Sequence, residues 1–218
     1  MKYVFNHNSR FETTAFRWLS LFDNDSPEVK TTFNNLCAMY NRPERHYHIL
    51  KHIMSMLDNV ERYRTYVVDF KAVSLATWFH DCIYDTHKKD NELQSSLYAG
   101  EMLGQIGVGA ECISKVQQYI MATCTHEAEG DSDLMLFLDL DLAILAVPWN
   151  EYQDYFTGIR QEYQWVPLEL YVKNRLDFLH GLLARKQIYS TPSLHAGWDF
   201  LARHNIQKEL EHYKCLYK

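Results

Sequence analysis

Residues Leu75–Asp85 read "LATWFHDCIYD", an apolar run that ends in a histidine beside an aspartate, with a second acid four residues on. Consecutive helical residues point about 100° apart, so His80 and Asp81 cannot share one helical face. The doublet is then either the polar end of a buried helix or a pair held by something between them.

On both sides of this stretch the apolar residues recur at helical spacing. Phe11, Ala15, Trp18, Leu19 and Phe22 form one stripe. Ser26-Pro27-Glu28 combines a capping side chain, a first-turn proline and an early acid, and Val29, Phe33, Leu36, Cys37 and Tyr40 follow as an apolar face. The pattern predicts a third helix over 44–63, with Ile49, Ile53, Met56, Leu57 and Val60 inward, and a fourth over 66–83. A fifth starts at Asp90 and runs toward Leu103, where "GQIGVGAE" breaks the pattern. Further helices are expected near 111–124, 132–146, 149–165, 167–185 and 195–214. With no repeat, low-complexity tract or linker, the expectation is one all-α domain over 1–218, a bundle of eight to ten helices.

Composition narrows the function classes. Hydrophobic residues make up 47% of the 218, an ordinary globular proportion, and a chain of this length can bury about 70% of its unfolded surface. A formal net charge of −6 argues against broad attraction to nucleic acid or an anionic membrane. A phosphate ligand would need local positive charge. Cys37, Cys82, Cys112, Cys124 and Cys215 are an odd, scattered set with no CxxC pair, unlike a disulfide framework or a zinc ribbon. The first residues, "MKYVFNHNSRFETT", lack the apolar core of a signal peptide, and no apolar run reaches the ~20 residues of a membrane span. The expected location is the cytoplasm.

The eleven histidines are clustered. His46, His48 and His52 fall in "ERHYHILKH", His80 and His87 flank the doublet, and His126 sits in "TCTHE". On a helix His48 and His52, at i and i+4, would share a face that also carries apolar residues. Such a pair can bind a metal, or one member can bind while the other transfers protons. Singly, each histidine is better read as a hydrogen-bonded core or surface residue. Carboxylates pose a matching problem. "LMLFLDLDLAILAV", 134–147, has only Asp139 and Asp141 as charges, and a buried carboxylate is costly unless paired, hydrogen-bonded or metal-bound. Two residues apart, they point to different sides. Three apolar helices each carrying such groups are explained by a shared metal site, or by a network of buried His-Asp pairs.

At these residues the chain resembles the HD superfamily of metal-dependent phosphohydrolases, whose pattern is H…HD…D. The matching residues are His52, His80-Asp81 and Asp141. "RHYHILKHI", "ATWFHDCIYD", "DNELQSS", "DLDLAILA" and "IRQEYQWVP" together resemble a bacterial subfamily of predicted HD-superfamily hydrolases, over about residues 10–212. "YHILKH" is also similar to the "YHNxxH" motif of cyclic-nucleotide phosphodiesterases, with Ile49 where those enzymes have asparagine.

The resemblance implies an HD-type helical bundle with a divalent ion on His52, His80, Asp81 and Asp141. It implies His48 as general acid and Asp81 as a residue that also orients the attacking water. Mixed nitrogen and oxygen ligation admits manganese, iron, cobalt, nickel or zinc, as one or two ions. Glu92 is a candidate for holding a water or a histidine tautomer, or for a capping box with Asp90. Arg42, Arg45, Lys88 and Arg160 are candidate contacts to a small phosphorylated substrate such as a nucleotide, and His126 is a candidate for a second metal or a substrate phosphate. Solvated or paired surface charges explain the arginines and Lys88 as well, and a buried Arg-Glu pair bracing two helices explains Arg160, Glu162 and Arg175. The stripe Tyr152, Tyr155, Phe156 and Tyr163 reads as core packing. Two other functions fit the same residues, a non-catalytic metal- or nucleotide-binding sensor and a di-iron oxygenase. An aromatic-rich helical surface is compatible with a homodimer.

Overall fold

The computed structural model describes residues 7–128 and 130–216, and side chains within 12–214. The side chains of Phe11 and Cys215 lie outside the described residues. The elements are α1 (His7–Leu19), α2 (Pro27–Tyr40), α3 (Leu50–Arg62), α4 (Phe70–Phe79), α5 (Asn91–Ile106), α6 (Ala110–Ala122), α7 (Ser132–Asp141), α8 (Trp149–Glu162), α9 (Leu168–Ala184) and α10 (Pro192–Leu216). Short 3₁₀ turns occupy Arg64–Tyr66 and Leu142–Ala146. The described residues contain no strand, and the fold is an all-α bundle. None of its helices is long and apolar enough to cross a membrane.

Two helices are apolar around most of their circumference, and burial on all sides follows from that. In α4 every residue from Ala72 to Phe79 is buried. In α7 the same holds for Asp133–Leu134 and Leu136–Leu140. Helix α4 packs against α3, α5, α6 and α7, and Trp78 meets Trp18 edge-on at 5.6 Å and Phe33 at 5.9 Å. Each central helix therefore reaches polar chemistry only at its ends. The C-terminal ends of α4 and α7 carry His80-Asp81 and Asp141. Both ends leave backbone carbonyls pointing outward, a field that favours positive charge.

Other predicted elements are visible in their causes. Ser26 caps α2 by accepting from Val29 N–H, and Pro27 begins the helix. Gly107, in the left-handed region at φ +86°, ends α5 within the glycine-rich break. Tyr152, Tyr155 and Phe156 are core residues. Cys37, Cys82, Cys112 and Cys124 are free thiols.

The third helix is shorter than its periodicity suggests. It starts at Leu50, so His48 lies in the preceding turn and does not share a helical face with His52. The physical reason is the Glu162 carboxylate, whose Oε1 accepts the N–H groups of His46, Tyr47 and His48 at 2.8, 2.7 and 2.9 Å. The fourth helix also contracts, starting after the Asp69 cap and releasing the doublet at its end.

Candidate metal centre

His52 is in the first turn of α3, with its ring inward. Its Nδ1 is 3.2 Å from Tyr47 Oη, and its Nε2 lies 3.1 Å from Asp141 Oδ1 and 3.3 Å from His80 Nε2. His80 is the C-cap of α4 and almost wholly buried. Its Nδ1 lies 2.9 Å from the Thr77 carbonyl, an acceptor only, so Nδ1 carries the proton and neutral His80 presents a bare Nε2. That nitrogen is 3.2 Å from Asp81 Oδ2 and 3.4 Å from Asp141 Oδ1. Asp81 lies in the turn that follows α4, and there the doublet's two side chains approach each other. His52, His80 and Asp81 each offer a ligand atom within 4.8 Å of the other two.

The electrostatics match a cation-seeking centre. Burial works against the His80 imidazolium, but the Asp81 and Asp141 carboxylates outweigh it and hold its pKa well above the ordinary value. Burial likewise disfavours both carboxylates. The His80 charge outweighs that and holds Asp81 and Asp141 below the usual carboxylate range. Two half-buried acids thus face imidazoles, and a divalent ion could replace the balancing charge on release of protons. Burial pushes the Cys82 thiol up to about 12, so it stays a thiol. Nitrogen and oxygen donors remain, a set that fits manganese, iron, cobalt, nickel or zinc.

His126 joins this group from the turn after α6. Its Nε2 is 2.9 Å from Asp141 Oδ2, so the two Asp141 oxygens serve different imidazoles. Its backbone is left-handed at φ 52°, an uncommon state for a side-chain-bearing residue, and Arg185 holds the turn through the carbonyls of Thr125 and His126.

His48 stands beside the donors. Its Nδ1 lies 2.7 Å from Glu162 Oε2, and its Nε2 is 3.9 Å from Asp81 Oδ2. The Tyr84 ring packs on it at 4.2 Å, and Tyr84 Oη donates to the same Glu162 oxygen. Burial would lower the His48 pKa, yet the Asp81 charge and the Glu162 hydrogen bond leave it raised. Burial would raise Glu162; the His48 bond and charge, with backbone N–H donors, bring it down to about 2. Gly158, one turn before Glu162, permits this docking. A Cβ there would sit 3.3 Å from Tyr47 Cβ and 3.4 Å from the His46 carbonyl.

The remaining candidates lie away from the cluster or are engaged elsewhere. Arg45 is buried, and its guanidinium donates to the carbonyls of His48, Asp81 and Cys82 at 2.7–3.0 Å, so it ties the two histidine motifs together and is not free for a phosphate. Arg160 donates to the Tyr163 and Val166 carbonyls and covers the Tyr171 ring, closing the end of α8. Arg42 and Lys88 are exposed side chains. Glu92 is half-buried and faces the Cys124 thiol, whose pKa burial and the Glu92 charge raise; no described hydrogen bond joins it to His48 or His80. Asp90 accepts from Gln94 and makes no capping bond. Asp85 accepts from His87 N–H and closes its own loop. The buried Arg-Glu brace exists, between Arg175 and Glu209 at 2.8 Å. Glu162 pairs with His48 instead. Across 114 residues no spacing signals that pair; a glycine four residues before an acid is its one local trace.

No family model, curated protein or solved structure matches the chain.

Proposed function

We propose that the chain is a metal-dependent phosphohydrolase, cleaving a phosphate ester or anhydride of a small phosphorylated compound such as a nucleotide. The observation that carries this reading is the convergence of His52, His80, Asp81 and Asp141, from three distant helix ends, beside an independently held His48. His52, His80, Asp81 and Asp141 would hold the ion, in keeping with the resemblance. When bound, a divalent cation supplies Lewis acidity to a phosphoryl oxygen and lowers the pKa of water.

The chain's own groups supply the rest. The His80 Nδ1–H bond to Thr77 fixes the ring so that Nε2 faces inward. The Asp81 oxygen between His80 Nε2 and His48 Nε2 can accept from the attacking water as it adds to phosphorus. Because Glu162 engages Nδ1, protonated His48 presents Nε2–H toward the centre, able to protonate the leaving oxygen as the P–O bond breaks.

The split duty of Asp141 favours a second arrangement. With Oδ1 toward His52 and His80 and Oδ2 toward His126, it could bridge two ions. Bound metal and its stoichiometry, measured on the purified chain with a screen of nucleotides and phosphate esters in manganese, cobalt or nickel, decide among the readings. Metal-dependent hydrolysis that disappears in both His52→Ala and Asp81→Ala supports the proposal. Wild-type metal content and turnover in both variants overturns it. Metal without any turnover points to a sensor, and two irons per chain to an oxygenase.

A further inference from the structure

A cleft of about 390 Å³ opens beside the centre, and His52 and Asp141 form part of its wall. Its volume falls within the range of small-molecule sites. One side is the outward face of α3, where Lys51, Ser55, Asn59 and Arg62 follow at helical spacing over Met56. The other side is the 3₁₀ turn Leu142–Ala146 with the start of α8, and Trp198 of α10 contributes an aromatic wall. Trp198 is fixed edge-on between Tyr63 at 6.0 Å and Tyr189 at 5.4 Å, so that wall is preformed.

The charges at the rim are balanced. Lys51 and Arg62 on α3 are exposed, and so are Glu151 and Asp154 on α8. Arg62 lies ten residues beyond His52, about 15 Å along the helix, too far to hold a second phosphate attached to one at the centre. The floor is apolar, formed by Met56, Ile144, Ala146 and Val147. A cleft with this lining suits an uncharged body rather than a polyphosphate chain.

Building on the phosphohydrolase reading, we propose that this cleft receives the uncharged, ring-bearing part of the substrate, with the phosphoryl group at the His52–Asp141 end. The enzyme then selects organic monoesters with a flat apolar body over small or polyanionic phosphates. Met56, Ile144 and Trp198 set that preference by contact, and the donors at the mouth set the position of the phosphoryl group.

The test uses the full chain and two esters, 1-naphthyl phosphate and methyl phosphate, with 1-naphthol as an uncharged binding probe. The wild type is expected to bind 1-naphthol without metal, by calorimetry and by a change in tryptophan emission. It should also prefer the naphthyl ester in kcat/KM. Ala146→Phe, which fills the cleft, should weaken 1-naphthol and lower the naphthyl-over-methyl ratio by about tenfold or more. Ala143→Leu is a milder second variant, and thermal melts check that each folds. Equal kcat/KM for the two esters in the wild type, or unchanged naphthol binding in both folded variants, overturns the inference. Naphthol binding that both variants lose, with no hydrolysis of either ester, supports the cleft and overturns the phosphohydrolase reading instead.

Discussion

Asp139 and Asp141 lie two residues apart on α7, in equally apolar sequence, and do opposite work. Asp139 accepts the Ser190 and Thr191 N–H groups at 2.9 and 2.6 Å, fastening the entry to α10. Burial dominates its surroundings and raises its pKa, with the two N–H groups acting against that rise. Asp141 meets only side chains, three imidazoles, and is held far below the carboxylate range. Neutral amide dipoles position a carboxylate and leave its charge unneutralised. Imidazoles can exchange their protons for a cation. The difference between a structural acid and a chemical one therefore lies in what faces it, backbone amides for the buried Asp139 and imidazoles for the half-buried Asp141.

The largest expected effect comes from Asp141→Asn. On the proposed reading Asp141 is a ligand, and its loss should weaken metal binding by more than the ~10–100-fold typical of losing a ligand's supporting bond, with turnover falling alongside. Metal analysis and kinetics would show this, with circular dichroism of the metal-free chain unchanged because Asp141 holds no backbone group. An Asp141→Asn protein with full metal content would erase the contrast.

Glu162 sharpens the comparison by doing both jobs, holding three backbone amides and one imidazole. His48→Asn is expected to lower turnover by about 10²–10⁴-fold with metal content retained. Glu162→Gln should lower it less, because Gln still accepts the amides but cannot stabilise the imidazolium. Loss of metal in His48→Asn would make His48 a ligand.

Asp139→Ala should act on stability alone. One buried and one half-buried N–H group left unpaired would cost about 2–4 kcal/mol in urea unfolding, with metal stoichiometry unchanged. The smallest effect concerns pH. With Glu162 held near 2, the unfolded chain binds more protons than the folded one between the ordinary value of about 4.5 and that point. Its contribution is complete above about 4.5 and drains away as pH falls toward 2. Glu162→Gln should flatten the stability profile in that window, and an unchanged slope would deny the carboxylate its partners.

The sequence makes some of this legible and hides the rest for physical reasons. Helices declare themselves through periodicity because burial recurs every three to four residues, and α4 through an apolar run that leaves only its end for polar groups. The doublet, His52 and Asp141 are visible because charge in apolar sequence demands a partner. Periodicity alone does not distinguish Asp141 from Asp139; in sequence only the resemblance points to Asp141. Arg45 reads as a phosphate ligand because its true partners are carbonyls, which carry no side-chain signature. Periodicity places His48 on a helix, and the carboxylate that holds residues 46–48 outside it comes from Glu162, far along the chain.

That reach has a kinetic meaning. Glu162 closes onto residues 46–48 over 114–116 positions, and His52 meets Asp141 over 89. Such closures are slow steps in folding compared with helix formation. Helical turns can form locally and early, while the contacts that join Glu162 to residues 46–48 and His52 to Asp141 wait for the tertiary fold. Metal uptake timed against helix formation would therefore report the last stage of folding.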